Sequence, residues 1–229
     1  MIRGFYSASL GLNNSQTKLD TIANNVANVN TTGFKSQAAS FSDTLYSNLQ
    51  ENVNIGSGSR VAGNSIRFQN GAMQQTGEAL DFAIDGDGFF AVIDRNGNVF
   101  YTRSGAFSVS VEGDNNYLVT SEGFYVLGQD MNFIAVTDGE PAAMPGVFDF
   151  PNVYGLQLLG GSRFAETPLS GQAQPVEDAR VMQGYLEGSA VDLVEEMSKM
   201  IEAQRVFQMN SKIIQVADEM EQTANTLRR

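Results

Sequence analysis

The chain has 229 residues, with 14 basic and 26 acidic side chains and neither histidine nor cysteine. A net charge of −12 disfavours a phosphate-backbone binder, which needs a basic face to displace counterions. The absent residue types exclude disulfides, thiolate metal sites, cysteine nucleophiles, a zinc site and a Ser-His-Asp triad.

The N-terminal stretch carries a seven-residue repeat. Phe5, Leu12, Leu19 and Val26 recur every seventh position, with Ala8, Ser15, Ile22 and Val29 three residues after each. This spacing places both rows on one helical seam, as in a coiled coil. Gly4, Gly11 and a run of asparagines (Asn13, Asn14, Asn24, Asn25, Asn28) weaken the helix, so it is expected to need a partner surface. Gly33 is the expected stop. The first residues lack the apolar core and cleavage site of a secretory signal, which leaves a cytosolic protein or one exported without cleavage. No run of about 18 apolar residues is present, so no membrane-spanning helix is expected.

Residues 46–80 are polar and glycine-bearing and read as an extended connector. Beyond them the pattern is β. Phe89–Ile93 and Val99–Arg103 flank Asp94-Arg95-Asn96-Gly97-Asn98, and Asn-Gly between β-prone runs is a hairpin signal. Short strands are expected near Ala106–Val111, Tyr117–Thr120 and Phe124–Leu127 as an antiparallel meander; all five prolines lie after Gly128, where the pattern loosens. At the C-terminus, Leu193, Met197, Met200 and Ile201 begin an apolar stripe. It continues through Ala203, Val206, Asn210, Ile213, Ala217, Met220, Ala224 and Leu227, and Val191–Leu227 contains no Gly or Pro. Such a helix would run roughly 55 Å, a length usual in assembly helices.

The expected fold is therefore α+β. Long terminal helices pair as a coiled-coil-like stalk around a central antiparallel β domain. The expected segments are an N-terminal assembly helix (1–45), the connector (46–80), a β-rich outer domain (81–183) and a C-terminal assembly helix (184–229). Pairing is expected to set Phe5, Leu12, Leu19 and Ile22 against Leu193, Met200, Ile213 and Met220. Charge follows the same division. Residues 1–50 carry three basic and two acidic side chains, 51–186 six and sixteen, and 187–229 five and eight. An acidic, solvated body lies between nearly neutral ends meant to be buried.

Candidate chemistry is sparse. Asp85 and Asp87 lack the further ligands and terminal Glu of an EF-hand, and Gly86-Asp87-Gly88 is what a tight turn needs. Gly86-x-Gly88 has no third glycine or following helix, so it is no dinucleotide loop. With 26 acidic residues, a carboxylate pair for glycoside hydrolysis carries little signal. No catalytic, cofactor-binding or metal residues are assigned, and no cofactor is expected.

Several longer segments resemble a known family. Ile22-Ala23-Asn24-Asn25-Val26-Ala27-Asn28-Val29-Asn30-Thr31-Thr32-Gly33-Phe34-Lys35 is similar to the N-terminal signature of bacterial flagellar rod and hook proteins, with Asn24, Asn25, Asn28, Gly33 and Phe34 as motif residues. Leu80–Val92, Tyr101–Phe107, Gln183–Asp192 and Met200–Lys212 resemble further family segments, although Asn commonly stands where this chain has Ala190. The resemblance is greatest to basal-body rod proteins of the distal-rod type. It implies a structural subunit of the axial shaft that transmits torque, with terminal helices forming the inner tube. The implied assembly interface comprises Phe5, Leu12, Leu19, Ile22, Val26, Leu193, Met197, Met200, Val206, Ile213, Met220 and Leu227. The implied partners are copies of the chain, other rod and hook proteins and the flagellar export apparatus, with no nucleic acid and no membrane insertion. The implied location is the basal body, reached by type III export without cleavage. The connector between Tyr46 and Ile55 is short for a distal-rod protein and residues 128–146 are compressed, so distal and proximal rod proteins both stay open. So do a rod-associated muramidase and a β-rich binding module on a coiled-coil stalk.

Overall fold

The computed structural model describes residues 2–44, 47–50, 53–55, 58–112, 115–137 and 139–227. The chain is α+β, with helices α1 (Ile2–Ala27) and α2 (Leu193–Leu227) flanking a central antiparallel β region. Contacts divide it into a helical unit (Met1–Ala27, Gln37–Arg67, Asp192–Arg229) and a β unit (Asn28–Ser36, Phe68–Val191). Neither unit is continuous in sequence, unlike the four segments read from composition. Residues 28–36 belong with the β unit because they bond to its C-terminal part. Gly33 N–H donates to Glu187 O at 2.9 Å, and Ala190 N–H donates to Phe34 O at 3.0 Å.

In the helical unit α1 and α2 run antiparallel. Gly11 lies against Asn210, Lys18 pairs with Glu202 at 3.7 Å, and Asn25 donates to Glu196 at 3.1 Å. The α1 positions fall seven residues apart, as a shared seam requires. A Cβ on Gly11 would sit 2.7 Å from the Asn210 amide, so this glycine allows the close approach that offsets its weak helix propensity. Ser15 is buried in the seam, and its hydroxyl is satisfied by Gly11 O at 2.8 Å.

The stretch read as connector is partly sheet. Ser59–Ile66 pairs with Gln37–Asp43, with a bulge between Ser40 and Phe41, and Ser47–Gln50 pairs with Val53–Ile55. Asn14 ties this sheet to α1, donating to both Ser59 O and Ser59 Oγ at 2.8 Å. Tyr46, at one edge of the shortened connector, lies outside the described residues.

The β unit is built on a nine-stranded antiparallel sheet among the described residues. Its main path runs Gln157–Leu159, Arg163–Ala165, Val99–Thr102, Phe89–Ile93, Tyr125–Val126, Asn115–Thr120, Phe107–Glu112. Val147–Asp149 also pairs with Phe89–Ile93, and Gln174–Pro175 pairs with Val147–Asp149. The sheet is thus not a simple meander, because the proline-bearing region after Gly128 returns strands to both sides of the first hairpin. That hairpin closes as its sequence predicts. Asp94 N–H donates to Asn98 O at 2.9 Å, and Gly97 adopts φ 85°. Phe90 and Val92 enter a core with Phe82, Ile84, Leu118 and Val126. Phe89 instead joins Phe68, Phe150 and Phe164 in an aromatic cluster, with Phe89 and Phe164 ring centroids 5.3 Å apart. Successive strand residues point to opposite faces, so a strand buried on both faces reads as a continuous apolar run. Gly86 and Gly88 adopt φ of 117° and 122°, the conformation that the turn reading of this acidic stretch requires.

Candidate assembly surface

α2 presents two adjacent seams. Glu196, Met200, Ala203, Phe207, Asn210, Ile214 and Ala217 follow 3-4 spacing and are buried or half-buried. Val206, Met209, Ile213, Val216 and Met220 follow the same spacing, yet they are between 37% and 58% exposed. With Gly4, Phe5, Lys212 and Ala217 four of these, Met209, Ile213, Val216 and Met220, line a groove of about 590 Å³ in the helical unit.

The residues singled out from sequence divide between these environments. Ile22 is buried, and Leu12, Leu19, Val26 and Met200 are half-buried. Phe5, Leu193, Met197, Val206, Ile213, Met220 and Leu227 are exposed. Phe5 shares the open groove with Ile213 and Met220, so those residues are near one another but not shut away from water. The row Ala203, Asn210 and Ala217 was placed on the seam. Its in-chain companions, Phe207 and Ile214, sit one position after Val206 and Ile213 and were missed.

The asparagine motif has a specific use. Asn25 is 1% exposed, and its amide clasps one residue twice. Nδ2 donates to Gln37 O at 2.8 Å, and Oδ1 accepts from Gln37 N–H at 2.9 Å. Nδ2 also donates to the buried Glu196 carboxylate, which takes a second bond from Lys199 at 2.7 Å. Burial pushes the Lys199 ammonium down, but the hydrogen bonds and charges of Glu195 and Glu196 outweigh it and raise its pKa. Asn24 is exposed. Asn28 Oδ1 accepts from the Thr31 hydroxyl at 3.2 Å, a local turn contact in the β unit. Gly33 adopts φ 65°, and a Cβ there would meet the Arg103 carbonyl carbon at 2.5 Å; Phe34 is buried.

In the β unit the motif ends in a buried ionic cluster that the sequence reading missed. Glu187, Arg103 and Lys35 are 1%, 2% and 5% exposed. Lys35 Nζ donates to Glu187 Oε1 at 2.9 Å, to Gln69 O at 2.7 Å and to Asn70 Oδ1 at 3.1 Å. Arg103 donates to Glu187 Oε2 and to the carbonyls of Ile84, Gly86 and Gly88. Gly71 N–H supplies a further donor to Glu187 Oε1 at 2.8 Å. Burial lowers the Lys35 pKa, and the bond to Glu187 only partly opposes it. Nearby, burial and the Glu166 charge push the Tyr101 phenol up to about 12. Lone charges beside apolar neighbours, Phe34-Lys35 and Leu186-Glu187, were the available signal.

Three family models match the same regions. Residues 5–35 match "Flagella basal body rod protein", residues 83–144 match "Flagellar hook protein FlgE/F/G D1 domain", and residues 182–227 match "Flagellar basal body rod FlgEFG protein C-terminal". The flagellar basal-body rod protein FlgG of Borreliella burgdorferi is 36% identical over 267 aligned positions, covering 100% of both chains. The chain belongs to the FlgG family. FlgG of Bacillus subtilis is 35% identical and also covers 100% of both chains. The flagellar hook protein FlgE of Escherichia coli is 42% identical, but over 54% of this chain and 29% of its own. As a FlgG-family protein, the chain is a structural subunit of the flagellar basal-body rod.

Proposed function

We propose that the chain polymerises through its terminal helices, which pair in coiled-coil fashion within a subunit and meet neighbouring copies through the second seam of α2. The exposed row Val206, Met209, Ile213, Val216 and Met220 is the observation that carries this reading. Fully burying one such side chain is worth roughly 1.5–3 kcal/mol, so completing the burial of five half-exposed ones contributes about 4–8 kcal/mol. Association costs of about 4–15 kcal/mol leave one such contact weak. A subunit held by several neighbours in an open helical lattice is held firmly. The resulting shaft transmits torque, with the acidic β unit facing outward. Partners are further copies and other rod and hook proteins, together with the flagellar export apparatus that delivers the chain uncleaved. The twelve interface residues named from sequence divide, in this reading, into those that build the subunit and those that join subunits. Phe5, Val206, Ile213 and Met220 belong to the second set.

Replacing Ile213 with Asp tests this. The variant is expected to keep wild-type helix content as a dilute subunit and to be exported. It is expected to be missing from isolated basal bodies. Normal incorporation and motility would overturn the reading.

A further inference from the structure

The ionic cluster of the β unit joins three stretches far apart in sequence. Lys35 comes from the segment that opens the unit, Arg103 follows the Val99–Thr102 strand, and Glu187 lies in the last strand, Tyr185–Glu187. Two buried cations share one buried carboxylate, supplemented by carbonyls and the Asn70 side chain. The chain is made from its N-terminus, so both cations precede the carboxylate that compensates them. The same place carries the backbone closure. Gly33 N–H and Ala190 N–H bridge the opening and closing segments, and Gly188 N–H donates to Ala72 O at 2.9 Å. The apolar core around Phe90, Leu118 and Val126 includes none of these charged residues, although Arg103 also donates to the carbonyl of Ile84 at its edge.

We propose that Glu187 is a closing latch for the β unit: its carboxylate holds residues 28–36 and 185–191 together, and without it both segments release as one while the sheet core stays folded. Uncompensated buried charges strongly favour opening wherever opening lets water reach them. Here opening requires the loss of the short bridges just described and of the three-residue pairing between Tyr185–Glu187 and Met73–Gln75, while the nine-stranded sheet is bonded independently of them. This proposal is independent of how copies assemble.

Hydrogen exchange of the full chain tests it. In Glu187→Gln the amides of Gly33, Gly188 and Ala190 are expected to exchange about 100-fold faster or more, and to do so together. The amides of Leu118 and Leu127 are expected to change by less than about threefold. Trypsin is expected to gain access after Lys35. Lys35→Met leaves Arg103 and Glu187 as a balanced pair and is expected to open the segments far less. Unchanged exchange at Gly33 and Ala190 would overturn the proposal, and so would equal loss of protection at Leu118. A Glu187→Gln chain that does not fold at all would overturn it as well, because the sheet core is expected to stay folded without this carboxylate. The double variant Lys35→Met/Glu187→Gln, with one uncompensated cation fewer, is expected to open less than Glu187→Gln alone, and a double variant as open as the single one would also overturn it.

Discussion

Asn25 offers the sharpest test of how the helical unit is held. Replacing it with Ala removes three hydrogen bonds: two to the Gln37 backbone at 2.8 and 2.9 Å, and one to Glu196 at 3.1 Å. A buried polar group left without a partner costs about 1–3 kcal/mol. Gln37 is half-buried, so water recovers part of its loss, whereas Glu196 is 5% exposed and keeps only Lys199. The expected sum is about 2–4 kcal/mol. Asn13→Ala, at an exposed position of the same helix, is expected to stay within about 0.5 kcal/mol. Both α-helices lie in the helical unit, so urea unfolding followed by helical circular dichroism reports on that unit. If the two variants unfold at the same urea concentration, the Asn25 clasp is not what fixes Gln37 to α1.

Gly33→Ala is expected to destabilise the β unit by about 3 kcal/mol or more, because φ 65° is unfavourable for alanine and its Cβ would overlap the Arg103 backbone; thermal unfolding checks this. The Tyr101 phenol, pushed up to about 12, gives a stability change with a defined sign. Above pH 10 the unfolded phenol ionises while the folded one stays protonated, so stability falls by about 2–3 kcal/mol across pH 10–12, as denaturation at stepped pH would record. Leu12→Asp, at a half-buried position, is expected to lower the stability of the helical unit as well as assembly, whereas Ile213→Asp is expected to affect assembly alone. Glu202→Ala removes an exposed pair with Lys18 at 3.7 Å and is expected to cost less than about 0.5 kcal/mol in unfolding assays.

The two long helices were legible because their apolar residues repeat every third and fourth position over many turns. The first hairpin was legible because Asn96-Gly97 has few other uses between β-prone runs. The partner face of α2 was not, because apolar residues occupy neighbouring rows. Beginning from Ala203, the spacing continues equally well through Val206 and Ile213 or through Phe207 and Ile214. Only packing against α1 separates the two rows. The strands at Gln37–Asp43 and Ser59–Ile66 were hidden because none of their residues is buried and they are rich in small polar residues, which leaves no alternation to read. Lys35, Arg103 and Glu187 escaped because isolated charges have no period. Their meeting is a property of the tertiary fold alone.

Copies of the chain are proposed to meet through the second seam of α2. Cryo-electron microscopy of assembled rods, at a resolution that shows side chains, measures this most directly. Ile213 and Met220 are expected to pack against a helix of a neighbouring copy and to be closed off from water. A rod in which both side chains face open solvent, with copies joined through other surfaces, would contradict it.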